Sequence, residues 1–378
     1  MSVIDSDTQA TRGRQAGVGR AGPRGMGVTV GVDTHQRTHH AVVLDAAGML
    51  RGDREFAACA RGYEELVTWA LALAGSGPAG SGLIEAVGVE STGSYGAGLT
   101  RHLLVAGLSV IEVARPEKST RARHGKSDPI DAESAARQVQ AGTATGRPKI
   151  STGIVEAIRI LKMPRDGAVH DRTRAYNQLR DLVTTAPASI HDELIGLSGP
   201  QRVARALAWR PDRDRLADPT QAAKRALRWL AHRIRELDTQ IAQADVELDT
   251  LTAQAVPTLR AMPQVGPQTA AQLVITAGQN LDRLRTEASF AKLTGTAPLP
   301  ATSGKRQHRH RLNRGGDRAA NSSLHMIAIG RLRRDPETRA YRDRRQAEGL
   351  STPEILRCLK RHLARHVYRA LRTDLMTA

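Results

Sequence analysis

The sequence has very little cysteine, few aromatic residues and no long hydrophobic run. Cys59 and Cys358 are the only two cysteines in 378 residues, too few for a disulfide framework or a cysteine zinc site, so a bound metal would need oxygen or imidazole ligands. Aromatic residues make up 3% of the chain, which argues against a single-strand binder built on base stacking. No apolar segment approaches the roughly 20 residues that span a bilayer, and the basic N-terminus lacks the apolar core of a signal peptide. We therefore expect a cytoplasmic protein.

Positive charge, in contrast, is abundant. Lys and Arg number 56 against 38 Asp and Glu, which gives a formal net charge of +18. An excess of this size indicates a polyanionic partner such as a nucleic acid. With 40% hydrophobic and 25% charged residues, most of the chain should be globular. Its length predicts two or three domains.

The first part of the chain predicts a flexible tail followed by an α/β domain. Residues 1–26 are basic and show no periodicity, whereas residues 27–150 alternate between β-prone and helical patterns. Apolar alternation from Val28 to Val32 begins a three-stranded meander, which is followed by helix, strand, helix, strand and a further helix that opens near Asp128. This order favours a mixed sheet with helices on both of its faces.

The rest of the chain is predicted to be all-α. Residues 151–256 begin with a basic helical stretch and end in a heptad seam, whose members are spaced alternately by three and four residues: Leu227, Leu230, Ile234, Leu237, Ile241, Ala244, Leu248 and Leu251. A long helix packed inside its own domain could show this pattern, but we favour an intermolecular or antiparallel coiled coil over residues 221–255, and hence a homo-oligomer. Pro257 ends the seam, and residues 257–378 are expected to form a helical C-terminal domain.

Four acidic residues stand at positions that favour a shared site. Asp33 and Glu90 each end an apolar Val-Gly-Val strand, and Asp128 and Asp131 are three residues apart, a spacing that places both carboxylates on one face of a helix. Taken singly, the first two could be ordinary strand-end acids, and the pair suits the capped first turn of a helix. Taken together they predict a Mg²⁺ or Mn²⁺ site, because converging carboxylates repel one another unless a hard cation neutralises them. Two such ions can support phosphoryl transfer.

The C-terminal domain combines a glycine turn, a serine loop and a basic run. The turn within residues 260–274 fits a phosphate-binding helix-hairpin-helix and a plain helix-helix turn equally well. Ser303 lies before a glycine in a Pro-bounded loop, where a serine is usually only a turn residue. Residues 305–345 hold 13 Lys and Arg but 4 Asp and Glu, and such charge would hold a phosphate and stabilise developing oxyanions. The cations that we expect to bind nucleic acid are Lys305, Arg306, Arg309, Arg311, Arg314 and Arg318.

Five motifs resemble those of one enzyme family. VGVDTHQRTHH, VGVESTGSYG and GKSDPIDAESAA resemble the three acidic motifs of the DEDD insertion-sequence transposases, the bridge-RNA-guided recombinases often called the IS one-ten family. PQVGPQTAAQL resembles the helix-hairpin-helix of that family, and APLPATSGKRQHRHRLNRGGDRAANSSL resembles its serine-bearing motif. The resemblance covers the chain from residue 27 to near 150 and from residue 256 to near 370. The middle of the chain matches only in its helical, basic character.

The resemblance implies a fold, a chemistry and a set of partners. Its first domain would be ribonuclease-H-like, of the RuvC type, with Asp33, Glu90, Asp128 and Asp131 as the metal-binding acids. A helical coiled-coil spacer would lead to a transposase domain in which Ser303 attacks DNA and forms a phosphoserine link at a site shared with the acids. The resemblance also implies donor and target DNA as substrates, a non-coding bridge RNA as guide, a dimer or tetramer, and a place in the bacterial cytoplasm beside the nucleoid.

Three functional hypotheses remain open on the sequence. The leading one is a DNA transposase and recombinase that uses the four acids and a serine nucleophile. The second is a junction-resolving DNA nuclease that hydrolyses DNA with water through the same acids, in which case Ser303 would be dispensable. The third is a nucleic-acid-binding protein without catalytic activity, whose binding would survive the loss of any acid.

Three further signals are given less weight. His35, His39 and His40 are close in sequence, and we interpret them as surface or DNA-facing histidines rather than metal ligands, because a β-hairpin does not give them helical ligand spacing. Tyr95 is interpreted as a packing residue near the acids rather than a tyrosine nucleophile. Gln264 stands where the family more often has glycine.

Overall fold

Two compact units make up the chain, and they meet in sequence between Pro148 and Lys149. The computed structural model describes residues 27–76, 82–114, 127–300, 313 and 315–376, together with the backbone of residues 310 and 311. Within these residues the first unit is a mixed sheet with helices and the second is mostly helical, which confirms the predicted α/β and helical parts. None of the described helices combines the length and the apolar character that a bilayer crossing needs.

The first unit is built on a five-stranded sheet. Its elements are β1 (Val28–Thr34), β2 (Thr38–Leu44), β3 (Leu50–Ala57), α1 (Ala60–Gly75), β4 (Ile84–Glu90), α2 (Ala97–Val105), β5 (Val110–Val113) and α3 (Asp128–Gln140). The strand order is β3-β2-β1-β4-β5. The first three strands form an antiparallel meander, while β4 runs parallel to β1 and β5 runs parallel to β4. The predicted meander and the later alternation of helix and strand are therefore confirmed.

Helices cover both faces of this sheet, as predicted. The side chains of Val30 and Val32 lie in a core that includes residues of α1 and α2. On the other face Val42 of β2 packs with Ala132 and Ala136 of α3. Successive residues of a strand point to opposite faces. Gly31, which lies between Val30 and Val32, therefore faces α3.

Two glycines allow α3 to lie close to the strands that end in acids. A Cβ atom at Gly31 would lie 2.1 Å from the carbonyl oxygen of Ala132, and one at Gly88 would also meet atoms of α3. Gly31 shares its sheet face with Asp33, and Gly88 shares it with Glu90. In the repeated Val-Gly-Val-acid pattern, the valines therefore lie in the main core. The glycine lets α3 pack on the same face of the sheet as the acid.

Replacing Gly31 with alanine is expected to lower the free energy of unfolding of the first unit by about 3 kcal/mol. The two nearest atoms that the new methyl group would meet belong to the backbone of α3, which cannot rotate away as a side chain can. Urea unfolding followed by circular dichroism measures this change. Gly75→Ala is the matched control, because a Cβ atom there meets nothing within 4 Å and should cost nothing in a helix. Equal stability of the Gly31→Ala and wild-type proteins would contradict the close approach of α3.

The second unit contains the remaining elements in chain order. They are α4 (Gly153–Thr185), α5 (Ala188–Leu194), α6 (Gly199–Ala208), α7 (Pro219–Ala255), α8 (Pro257–Arg260), α9 (Pro267–Ala277), a short 3-10 helix (Leu281–Arg283), α10 (Glu287–Leu293), β6 (Leu299–Pro300), β7 (His310–Arg311), α11 (Arg318–Arg334), α12 (Pro336–Ala347) and α13 (Thr352–Met376). The two short strands pair in antiparallel fashion.

The two longest helices, α4 and α7, lie side by side in opposite directions. Arg165 of α4 donates to Asp245 of α7 at 2.8 Å, and Arg172 donates to Asp238 at 2.8 Å. Every second member of the heptad seam is buried within this chain: Leu227, Ile234, Ile241 and Leu248. The seam therefore packs within its own unit, as an antiparallel helix pair, and a homo-oligomer formed through it stays a prediction.

One hydrophobic core joins the long helices to the C-terminal helices. Val155 of α4 and Leu248 of α7 lie in the same buried cluster as Phe290 of α10. This cluster includes residues from both sides of position 256, since it also contains residues of α9, α11 and α13. The division of this part into the segments 151–256 and 257–378 stays a prediction.

Candidate metal centre

Asp33 and Glu90 lie at the same edge of the sheet. β1 and β4 are parallel, and Val32 is paired with Val89, so the acids that follow these residues come from adjacent strand ends. The hydroxyl of Thr34 donates to the backbone carbonyl of Glu90 at 3.1 Å and ties the two ends together. Both acids are buried, at 6% and 3% exposure. Buried carboxylates are costly unless a cation or hydrogen-bond donor compensates them.

The first turn of α3 supplies the other two predicted acids. Asp131 is buried at 4% exposure, whereas the Asp128 side chain is 42% exposed. Ser127 is the N-cap residue of the helix, and Asp128 and Asp131 both lie in its first turn. The carboxylate of Asp128 lies against the imidazole of His35.

His35 lies between two of the acids. Its Nε2 atom is 3.3 Å from Oδ2 of Asp33 and 3.2 Å from Oδ1 of Asp128. The sequence interpretation of His35 is a surface or DNA-facing residue rather than a metal ligand; the structure groups its ring with two of the acids. A signal was available, because Asp33 and His35 are two residues apart at a strand end, and that spacing places side chains on one face.

The pKa of Asp33 reflects its burial and, less strongly, the charges around it. Burial raises the pKa of its carboxyl group above the ordinary value, and the neighbouring carboxylates of Asp131 and Asp128 raise it further. His35 and the backbone N–H of Thr34 act in the opposite direction but do not cancel the increase. The site therefore disfavours the negatively charged form of Asp33 unless positive charge is added.

The donor atoms fit a divalent cation. One ligand atom each from Asp33, His35 and Asp128 lie within 4.8 Å of one another. Carboxylate oxygens are the ligands that Mg²⁺ and Mn²⁺ prefer, and Mn²⁺ also accepts an imidazole nitrogen. Asp131 adds negative potential at Asp33, and Glu90 lies at the same sheet edge. A bound cation would relieve the repulsion that raises the pKa of Asp33.

The other two histidines and Tyr95 have surroundings that differ from our expectations. His39 is fully buried and its ring stacks on that of Tyr63, with centroids 5.6 Å apart, so it is neither a surface nor a DNA-facing residue. Burial lowers the pKa of His39 below its ordinary value. His40 lies 3.1 Å from the carboxylate of Asp53. Tyr95 is 52% exposed, so its interpretation as a packing residue is wrong.

Most of the predicted C-terminal site lies outside the described residues. These residues are Ser303, Lys305, Arg306, Arg309 and Arg314. For Arg311 the structure describes the backbone, which belongs to β7. Arg318 is the first residue of α11 and is exposed. The nucleophile and the phosphate-binding cations therefore stay predictions from the sequence.

The turn between α8 and α9 explains why glycine suits position 264. Gln264 has a φ angle of +66°, a left-handed conformation that costs non-glycine residues some energy. Its side chain packs toward Gly330 of α11, where an added Cβ atom would lie 2.9 Å from Oε1 of Gln264. The helix that follows begins at Pro267, with Gly266 as its N-cap residue. The chain thus keeps a glycine-type turn while using the glutamine to contact another helix.

Two protein-family models match separate parts of the chain. The model of the DEDD transposases of IS110, described as "Transposase", matches residues 30–186. The model described as "Transposase IS116/IS110/IS902 family" matches residues 256–343. The two matched segments together make up about two thirds of the 378 residues. The first contains the four acids of the candidate site, and the second contains Ser303 and Gln264.

Three insertion-element proteins are similar in sequence. The chain is 24% identical to the uncharacterized 42 kDa protein of insertion element IS900 from Mycobacterium paratuberculosis. The alignment of 389 positions covers 89% of this chain and 94% of that protein. It is 26% identical over 275 residues to the uncharacterized 44.8 kDa protein of IS116 from Streptomyces clavuligerus, covering 63% and 69%. It is 34% identical over 109 residues to the uncharacterized 43.6 kDa protein of IS110 from Streptomyces coelicolor, covering 29% and 27%.

Proposed function

Because the chain belongs to the DEDD transposases of the IS110 family of insertion elements, we propose that it cuts and rejoins DNA by means of a metal held by its acids and a serine nucleophile. The family makes the protein a DNA transposase, an enzyme of phosphoryl transfer, and implies the use of a divalent metal. The observation that carries the proposed mechanism is the convergence of Asp33, His35 and Asp128 at one edge of the sheet.

The metal ligands that we propose are Asp33, Glu90, Asp128 and Asp131, with Mg²⁺ or Mn²⁺ as the ion. We add His35 to this set, because its Nε2 atom lies 3.3 Å from Oδ2 of Asp33. A bound ion would polarise the scissile phosphate and stabilise developing oxyanions. The first unit supports the ribonuclease-H-like fold that the sequence resemblance implied, since its antiparallel meander, added parallel strands and strand-end acids are arranged around one sheet edge.

The serine step conserves the energy of the broken bond. We propose that the Oγ atom of Ser303 loses its proton and attacks the phosphorus of the target strand. A new O–P bond forms to the serine while the O–P bond to the leaving nucleotide breaks, and that nucleotide oxygen takes up a proton. In the reverse sense, a hydroxyl at the end of another strand attacks the phosphoserine and releases Ser303, which rejoins the DNA without external energy.

The proposed partners follow from charge and family. The cations expected to hold phosphates are Lys305, Arg306, Arg309, Arg311, Arg314 and Arg318, and their contacts should make DNA affinity strongly dependent on salt. A bridge RNA would select donor and target DNA by base pairing. The active assembly would be a dimer or tetramer of this chain, and its DNA substrates would place it at the nucleoid.

Mixing the intact protein with Mg²⁺, labelled donor and target DNA and the RNA transcribed beside its gene is expected to give joined DNA and a transient covalent protein–DNA species. A denaturing gel measures both products. Chelation of the metal with EDTA should remove both, and re-addition of Mg²⁺ or Mn²⁺ should restore them. Omitting the RNA should remove the joined product if base pairing selects the sites.

Other outcomes of this experiment would contradict the proposal in distinct ways. Metal-dependent cleavage without a covalent species would indicate hydrolysis by water, as in a junction-resolving nuclease. Binding of DNA or RNA without cleavage under either metal would indicate a nucleic-acid-binding protein without catalytic activity. Joining that persists in EDTA would exclude a role for the metal.

A further inference from the structure

Positive and negative charge are separated along α7. Residues 219–235 contain five Lys and Arg and no Asp or Glu, whereas residues 236–255 contain five Asp and Glu and no Lys or Arg. Two of the acids pair with α4, since Asp238 accepts from Arg172 and Asp245 accepts from Arg165. The acidic half of α7 therefore takes part in holding the helix pair together.

The cations of the other half have no such role. Among the described residues none of them has an acidic partner; they are Lys224, Arg225, Arg228, Arg233 and Arg235. Lys224 and Arg228 are four residues apart, a spacing at which like charges destabilise a helix. The positive half is also the one nearest the positive end of the helix dipole. Local helix stability therefore does not account for this concentration of charge.

An exposed tryptophan lies within the same stretch. Trp229 is 60% exposed, whereas Trp209 is 8% exposed. The guanidinium of Arg225 lies 4.8 Å from the centroid of the Trp229 ring. With 3.6 residues per helical turn, Trp229 and Arg225 lie on the side of α7 opposite the buried Leu227 and Ile234. The ring therefore stands among cations on the solvent side of the helix.

We propose that this surface, the α7 basic face, binds an unpaired stretch of a nucleic-acid strand. We define it as Lys224, Arg225, Arg228, Trp229, Arg233 and Arg235. Five cations without acidic partners complement a phosphate backbone, and an exposed indole supplies a platform on which a base can stack. Arg225 lies over one side of the indole, and the base would stack on the other side. Stacking on this one ring would add to an affinity that the cations mainly supply, so the face does not need the many aromatic residues that a binder built on base stacking has.

This proposal rests on the proposed function only in that the protein handles nucleic acid. The strand could be an unpaired part of a guide RNA or a DNA strand separated during recombination. Its chemistry is the same in both cases, a phosphate backbone with an accessible base. An oligouridylate and an oligothymidylate of about 12 nucleotides distinguish the two sources, because they differ in sugar and methyl group but both stack weakly on themselves.

The intrinsic fluorescence of Trp229 gives a local readout that needs no recombination. Titrating the intact protein with either oligonucleotide should quench the emission of the exposed tryptophan, and Trp229→Phe should remove that quenching while keeping the affinity close to wild type. Trp229→Ala should weaken binding about tenfold, since stacking on one aromatic ring is worth about this factor or more. Tighter binding of the oligouridylate would assign the face to RNA, and tighter binding of the oligothymidylate would assign it to DNA.

The contribution of the arginines is measured by salt dependence. Replacing Arg225, Arg228 and Arg233 together with alanine should reduce the slope of log affinity against log salt by about 2, since each phosphate contact to a single strand contributes about 0.7. The matched control is the triple replacement of Arg159, Arg174 and Arg180. These exposed arginines lie on α4 and pair with neighbouring acids, so their loss removes the same charge and should change the slope little.

Two results would overturn the proposal. One is wild-type affinity of the Trp229→Ala protein together with an emission that the oligonucleotides do not change. The other is an equal effect of the two triple variants, which would mean that only total charge matters. The first result, combined with a change of oligomeric state in Trp229→Ala measured by light scattering, would identify the face as a contact between copies of the chain. Failure of recombination in the separate DNA-joining assay would leave these binding results unaffected.

Discussion

Replacing Ser303 with alanine is expected to abolish the covalent protein–DNA species and to reduce DNA joining by at least about a thousandfold. The alanine side chain has no hydroxyl oxygen to form the bond to phosphorus, and without that bond the energy of the cleaved strand is lost. RNA and DNA binding should persist, because the many cations of the chain still hold the phosphates. A denaturing gel for the adduct and a filter-binding assay for affinity measure the two effects.

A serine of the same basic segment provides the control for this change. Ser322 is an exposed residue of α11, and Ser322→Ala should leave both the adduct and the joining reaction near wild type. Ser303→Cys offers a second comparison, because a thiolate could still attack phosphorus, although at a different rate. An adduct of wild-type yield in the Ser303→Ala protein would refute Ser303 as the nucleophile. Loss of activity together with loss of binding would point to a folding defect instead.

Replacing Asp33 with asparagine is expected to reduce metal-dependent cleavage by about a thousandfold while leaving the protein folded. Asparagine keeps the shape of the side chain but removes the charge that a divalent cation needs. The pKa of Asp33 is raised by burial and by Asp131 and Asp128, so its negative charge costs stability at neutral pH when no metal is present. Without metal the Asp33→Asn protein should therefore be at least as stable as wild type. Cleavage rates and urea unfolding in EDTA separate the two effects.

Glu64→Gln is the control for the loss of one negative charge from the first unit. Glu64 is exposed on α1, which packs on the face of the sheet opposite α3, so cleavage should be unchanged. Binding of Mn²⁺ provides a readout besides activity, and Asp33→Asn should weaken it about tenfold or more. Pulsed electron paramagnetic resonance of the bound Mn²⁺ should show coupling to a nitrogen, which His35→Gln should remove. Unchanged Mn²⁺ affinity in the Asp33→Asn protein would place the metal elsewhere.

Local patterns were sufficient to predict the strands and the acids at their ends. The alternation of Val30 and Val32 identifies a strand because side chains point to opposite faces with a period of two. The spacing of Asp128 and Asp131 identifies one face of a helix for a similar reason. These periods are properties of the backbone itself, so the order of elements in the first unit could be derived without knowledge of any contact.

The position of His35 could not be derived in the same way. Its contact with Asp128 joins residues that are far apart in the sequence, and it exists because Gly31 lets α3 lie against β1. The acids in turn appeared on the sequence as separate possibilities, each with an ordinary alternative. Packing of α3 on the sheet brings Asp128 against His35, with Ser127 as the N-cap residue of the helix.

The sequence by itself determined the strand and helix order of this protein, the residues that end its strands and the total charge available for nucleic acid. Only the tertiary structure decided what each pattern packs against. The heptad seam defined an apolar face, but its partner is α4 because the segment that contains α5 and α6 returns α7 along that helix in the opposite direction. The same packing left Trp229 exposed and its neighbouring cations exposed or half-buried. Periodicity reports which side of an element is apolar, whereas long-range contacts decide which element covers it.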